Sequence, residues 1–441
     1  MSALLNRYGR LLVLPAAAAV FFLGALLFFY RGTYDPPPSV DIPVQNYQPP
    51  VSMFTTLTET LPIQRGTLLV DAGHDNDFTQ AESTAFLSRV SARGYDIELL
   101  GKFGSFGNPI TLATSDRVEF LRDQLRGADS FLVMQPSNAY NDEEVAEVRR
   151  FVLEKGGKLL LVADPTRDYR INTLAAAFGI TFRPDYLYNQ VEYDLNFQDI
   201  FIREFGADEL TSGLGTIALY TAGSLETSGP WLAISDANTQ STLVKNVLPL
   251  YPMVKSSDGG VVAIADMTFM VPPQDGIYDN ARLISNLANF LTQSQRRFQL
   301  ADFPHFFRDD LDIILSGSAL VDAGAQMKGL LDELQVSSQI KDVESLNQDS
   351  VYLGLYADAV NVTQYLQLAG VQIEDTIRTP FAPDIAPEDT AVVILHQTSG
   401  RQVLVILADT PESLAGVLDQ LSSGDFRDGL LGDFVGVYKT S

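Results

Sequence analysis

TLLVDAGHDNDFTQAESTAFLSRVSARGYDIELL, residues 67–100, reads as strand, polar turn, helix and second strand. Thr67 to Gly73 is an apolar run of buried-strand type ending in a polar turn. Phe78 to Gly94 has helical periodicity with Gly94 as its stop, and Asp77 is placed to cap it. Tyr95 to Leu100 returns to strand character. The alternation continues outward. Ser115 precedes the helical DRVEFLRDQLRG, and SFLVMQP (130–136) is a further strand. Asn141 caps DEEVAEVRRFVLEKGG, whose early acids and late Lys155 suit the helix dipole, and KLLLVAD (158–164) follows. INTLAAAFGI (171–180) is a short helix, GGVVAIAD (259–266) a strand and NARLISNLANFL (280–291) a helix. Short apolar strands alternating with amphipathic helices predict an α/β fold, a mainly parallel sheet flanked by helices on both faces.

This pattern assigns residues 61–298 to one α/β domain, with an aromatic-rich insertion of weaker pattern at 181–257. A smaller C-terminal α/β domain spans 299–441. Within it AVVILHQ and QVLVILAD flank an SGR turn as a hairpin, TPESLAGVLDQLSSG is a helix capped by Thr410, and FVGVYKT is a last strand. The hairpin implies a mixed sheet there.

Ahead of these domains, LLVLPAAAAVFFLGALLFFY (Leu11 to Tyr30) is free of charge and long enough for one transmembrane helix. It exceeds the apolar core of a cleaved signal peptide, which is about 7 to 15 residues. Arg7 and Arg10 before it place the N-terminus in the cytoplasm, so the cytoplasmic tip and anchor occupy residues 1–34 and the bulk of the chain is extracytoplasmic. Residues 35–60, with PPP and PP, read as a stiff stalk. The chain has 30 basic and 55 acidic residues, and the first 34 hold three basic and no acidic ones. The remainder therefore repels polyanions, which argues against nucleic acid as a partner. Cysteine is absent, which excludes disulfides, thiolate nucleophiles and sulfur-ligated metals.

LLVDAGHDNDFTQAE, the strand ending in QPSNAYNDEEVAEVRRFV, KGGKLLLVAD, and GGVVAIADMTFM followed by YDNARLISNLANFL together resemble a little-characterised prokaryotic family with a class I glutamine-amidotransferase-like fold. The resemblance covers about residues 60 to 295. It implies that fold, with membrane attachment and sometimes a transporter as neighbour. The catalytic Cys of true amidotransferases has no counterpart here, and no G-x-S-x-G elbow replaces it, so glutamine hydrolysis is not expected.

The densest polar cluster is Asp71, His74, Asp75, Asn76 and Asp77, after the first strand. Ligands of open parallel sheets collect beyond the carboxyl ends of strands. Ser137, Asn138, Asp164, Asp168 and Asp266 are expected on the same edge, giving Asp71, His74, Asn76, Ser137, Asn138, Asp164 and Asp266 as ligand-binding candidates. Such a cluster suits a divalent cation, or a His74 general base with Asp71, Asp75 and Asp164. Turn formation and helix capping explain the same residues without any ligand. The function read from these features is a non-catalytic, membrane-anchored scaffold or accessory subunit. Its expected partners are other membrane-complex subunits and the bilayer through Leu11–Tyr30. A ligand-sensing domain serving a transporter and a metal-assisted hydrolase stand as alternatives.

Overall fold

The computed structural model describes residues 2–29, 57–244, 249–307, 310–398 and 400–440. Most of the expected stalk lies outside them. Helix α1 (Ser2–Phe29) belongs to one unit, Met1–Val51, and Ser52–Ser441 forms the other. Among the described residues no helix is long and apolar enough to cross a membrane. α1 takes in positions 7 and 10 and carries Pro15 inside it. The expected transmembrane helix, single-pass topology and lipid-bilayer contact through Leu11–Tyr30 are corrected accordingly.

The first sheet has nine strands. In chain order they are β1 (Gly66–Ala72), β2 (Tyr95–Phe103), β3 (Pro109–Ile110), β4 (Ser130–Met134), β5 (Lys158–Val162), β6 (Glu204–Phe205), β7 (Trp231–Ile234), β8 (Met253–Lys255) and β9 (Val261–Ile264). Their spatial order is β3-β2-β1-β4-β5-β9-β8-β7-β6. The central strands β2, β1, β4, β5 and β9 are parallel, in register as Val70 opposite Leu132 and Leu161 opposite Ala263. β3 on one side and β8, β7 and β6 on the other are antiparallel, so the sheet is mixed rather than mainly parallel. β3 is a two-residue strand at Pro109–Ile110, and the other three antiparallel strands come from the 181–257 insertion. Its strands are two to four residues long, too short to show a period in the sequence.

Alternate residues of the central strands face opposite layers. Leu68, Val70, Leu132, Leu160, Val162 and Val262 pack beneath α2 (Gln80–Ser91) and α6 (Asn280–Thr292). Leu69, Phe131, Val133, Leu159, Leu161 and Val261 pack beneath α3 (Thr114–Gly127) and α4 (Asp142–Leu153). α4 starts at Asn141, whose side chain accepts from the Glu143 and Glu144 amides in a capping box with Glu144. α2 is capped by Thr79 with Glu82, not by Asp77, and α3 begins at Thr114 without a side-chain cap. α5 (Asn172–Ala175) is a single turn. Met267, Phe269 and Met270 of the loop after β9 are buried in the core under α2 and α6.

The second sheet holds β10 (Leu311–Leu315), β11 (Ser338–Lys341), β12 (Asp349–Leu355), β13 (Thr390–Thr398), β14 (Arg401–Ala408) and β15 (Val435–Lys439), ordered β11-β10-β12-β14-β13-β15. The first four are parallel; β13 runs antiparallel to both β14 and β15. α7 (Val321–Glu333) and α9 (Pro411–Ser423) cover one face, and α8 (Thr363–Ala369) packs on the other. The molecule is thus an α/β fold with mixed sheets. Leu160 lies at the centre of β5 with no exposed surface. Leu160→Ala should lower stability by about 2–5 kcal/mol, read as a lower urea midpoint with unchanged slope.

Candidate functional site

The carboxyl-end edge of the parallel strands carries most of the expected residues, but as two separate buried networks. In the first, His74 sits between two carboxylates. Its Nδ1 is 2.9 Å from Asp71 Oδ1, and its Nε2 is 3.3 Å from Glu144 Oε1, an ion-pair contact without hydrogen-bond alignment. The imidazole stacks on Tyr140 at 3.8 Å between centroids. Tyr140 Oη donates to Asp71 Oδ2 at 2.6 Å. Asn76 Nδ2 donates to the same oxygen at 3.0 Å and to the Met134 carbonyl at 2.8 Å. Arg117 Nε donates to Glu144 Oε1 at 2.9 Å. His74, Asp71 and Glu144 expose no surface.

Burial by itself pulls the His74 pKa down, but the Asp71 and Glu144 carboxylates outweigh it and hold it at about 9. Burial likewise opposes ionisation of Asp71, and His74, Tyr140 and Asn76 overcome it, leaving its pKa below the ordinary carboxylate value. The imidazole is sealed from solvent, with Nδ1 turned to Asp71 and Nε2 to Glu144.

The second network joins Asp164 and Asp266. Asp266 Oδ2 accepts from the Tyr220 amide and Oδ1 from the Thr268 amide, each at 2.7 Å. Burial, then the charge of Asp164, pushes its pKa well above the ordinary value. Asp164 accepts from Thr166 N at 2.9 Å and Thr166 Oγ1 at 2.6 Å, and from Thr268 Oγ1 at 3.2 Å. Gln135, buried at φ +47°, clamps the Asp164 backbone through Nε2 to the carbonyl (3.1 Å) and Oε1 from the amide (2.7 Å). Ser137 and Asn138 are half-buried loop residues: Ser137 Oγ reaches the Asp168 carbonyl at 3.4 Å, and the Asn138 amide donates to the His74 carbonyl at 2.9 Å. Asp75 is exposed and accepts from Thr111 Oγ1 at 2.9 Å. Among the described residues no group of three or more His, Asp or Glu is arranged to hold a metal ion, which corrects the expected divalent-cation site and metal-assisted hydrolase. These side chains spend their polar atoms on strand-end turns.

The opposite edge is open. A cavity of about 1500 Å³ lies at the amino ends of β1 and β5. Lys158 opens β5, Lys255 closes β8, Arg282 and Asn286 come from α6, and Arg297 follows that helix. Lys158 Nζ lies 5.3 Å and Lys255 Nζ 6.0 Å from the Phe290 ring centroid, a cation–π arrangement. Lys255 is neutralised by Asp208 Oδ2 at 2.7 Å. Lys158, Arg282 and Arg297 form no ion pair among the described residues. Burial, then repulsion from Lys255, draws the Lys158 pKa down. Four bases face Glu154, Asp208 and Glu209, a local sign opposite to the chain's net charge of −25. The bases are spread over about 140 residues, so no local spacing signals the site. The only hint in the sequence is the scarcity of Lys and Arg.

No protein-family model matches the sequence, and no curated protein matches it. The membrane attachment implied by the amidotransferase-like resemblance also conflicts with the helices observed, and that family assignment is corrected with it.

Because folding favours the His74 imidazolium, its contribution is complete below the unfolded value of about 6.5 and is lost as pH rises through about 9. The full change is on the order of 3 kcal/mol. Denaturation between pH 6 and 9.5 should show this decline. His74→Gln should cost about 3–5 kcal/mol at pH 6 by removing the cation between Asp71 and Glu144 and should abolish the decline above pH 6.5.

Proposed function

We propose that this protein is a non-catalytic binding protein for a small anionic ligand, held in the cavity at the amino ends of β1 and β5. The observation that carries the reading is the convergence of Lys158, Arg282 and Arg297, none ion-paired among the described residues, on one cavity of a strongly acidic chain. Elsewhere in the fold, bases such as Arg117, Arg167, Arg183 and Arg203 are neutralised by carboxylates. An anion entering the cavity supplies the missing charge at Lys158, where partial burial strengthens the attraction. The exposed Gln293 amide on the same wall is suited to a remaining acceptor atom of a polar ligand, whereas Asn286 spends its amide on the Leu210 and Ser212 carbonyls. The wall contains no His and no Cys, so it offers neither an imidazole base nor a thiol nucleophile. This favours binding over turnover.

Calorimetric titration with inorganic phosphate and with citrate at low salt tests the reading. Saturable binding is expected that weakens with added salt. The double variant Lys158→Ala/Arg282→Ala should bind at least about tenfold more weakly, since a charge-assisted hydrogen bond contributes about 1.5–3 kcal/mol. Arg149→Ala removes an exposed base outside the cavity and should bind as the parent does. Equal loss in both variants, or none in either, sinks the proposal.

A further inference from the structure

A second cavity, of about 370 Å³, adjoins the first and shares Glu154 and Arg297 with it as lining residues. Its character changes across that shared wall. Phe298, Leu368, Ile394, Leu395 and Phe434 line one part of it, from the segment after α6, from α8, from β13 and from the loop before β15, and Gln299, His396, Gln397 and Asp433 line the rest. Leu368 is 69 % exposed although its neighbours Leu366 and Ala369 on α8 are buried. Glu154 and Arg297 thus form a common wall between a chamber carrying Lys158 and Arg282 and a smaller one richer in apolar side chains.

We infer that the ligand is an anionic amphiphile, a soluble carboxylate or phosphate monoester bearing a single short apolar chain. Its head occupies the chamber of Lys158 and Arg282, and its chain passes Arg297 to cover Leu368 and Phe434. This rests on the binding role proposed above and names the ligand class for that site. The wall the two cavities share carries the inference, together with the match between cations at one end and apolar side chains, the exposed Leu368 among them, at the other. A purely polar anion leaves Leu368 in water. A purely apolar ligand leaves the head chamber's cations without a counter-charge. Arg297 suits the junction because its aliphatic stem contacts a chain while its guanidinium faces the anion.

The test titrates the full-length protein with acetate, inorganic phosphate, decanoate, decyl phosphate and decanol, each below its aggregation concentration. Decanoate should bind at least about a hundredfold more tightly than acetate, since each buried methylene is worth about fourfold in affinity. Decyl phosphate should exceed inorganic phosphate similarly, and decanol should bind more weakly than either chain-bearing anion. Leu368→Asp alters an exposed position and should reduce decanoate affinity at least about tenfold while leaving inorganic phosphate unchanged. If chain-bearing and chainless anions bind alike, or Leu368→Asp leaves decanoate binding intact, the amphiphile is wrong although anion binding stands. Decanol matching decanoate likewise overturns it. If no anion binds at all, the failure lies with the binding role itself.

Discussion

The His74 imidazolium held between Asp71 and Glu144 fixes the geometry on which the first sheet depends. Three buried charges with Arg117 beside them are costly to desolvate, and the cost is offset only when every partner is in place. Asp71 belongs to β1, His74 to the turn after it, Arg117 to α3 and Glu144 to the first turn of α4. Satisfying the network therefore sets where two helices sit on one strand end. Asn76, bonded to both Asp71 and the Met134 carbonyl, extends the constraint to β4. Tyr140 closes it by stacking on the imidazole and donating to Asp71.

This network has a functional consequence. The carboxyl-end edge is where open parallel sheets usually meet ligands. Here His74, Asp71, Asp164 and Asp266 are consumed by one another and by backbone amides. The protonation states follow from burial: His74 is held charged by two carboxylates, whereas Asp266 is pushed toward neutrality by burial beside Asp164. Bases without a carboxylate partner among the described residues lie at the opposite edge: half-buried Lys158 and the exposed Arg282 and Arg297. A basic cavity in an acidic chain gathers anions locally and repels them elsewhere, which favours a small ligand over an extended polyanion.

Several features of the sequence carried the fold without ambiguity. The apolar runs at β1, β4, β5 and β9 are long enough, and buried enough on both faces, to announce a parallel core. Asn141 with Glu144, and Thr410 followed by Pro411, carry their capping chemistry in adjacent residues, and both helices begin as read. Asp77 was misleading because two candidate caps stand two residues apart. The Thr79–Glu82 pair won by satisfying two backbone amides reciprocally. The strands of the insertion were invisible because their apolar residues gain meaning only from the sheet edge they extend.

The sequence by itself determined the α/β class, the helices with local caps and the identity of the residues at the strand ends. Those depend on periodicity and on neighbours within four or five positions, which a linear chain displays directly. Only the tertiary structure decided what the polar residues do. Glu144 reaches His74 across seventy positions, and Lys158, Lys255, Arg282 and Arg297 meet across a comparable or greater span. Whether a carboxylate caps a turn, ionises a histidine or loses its charge is fixed by burial and by the charges brought against it. Both are properties of the packed chain.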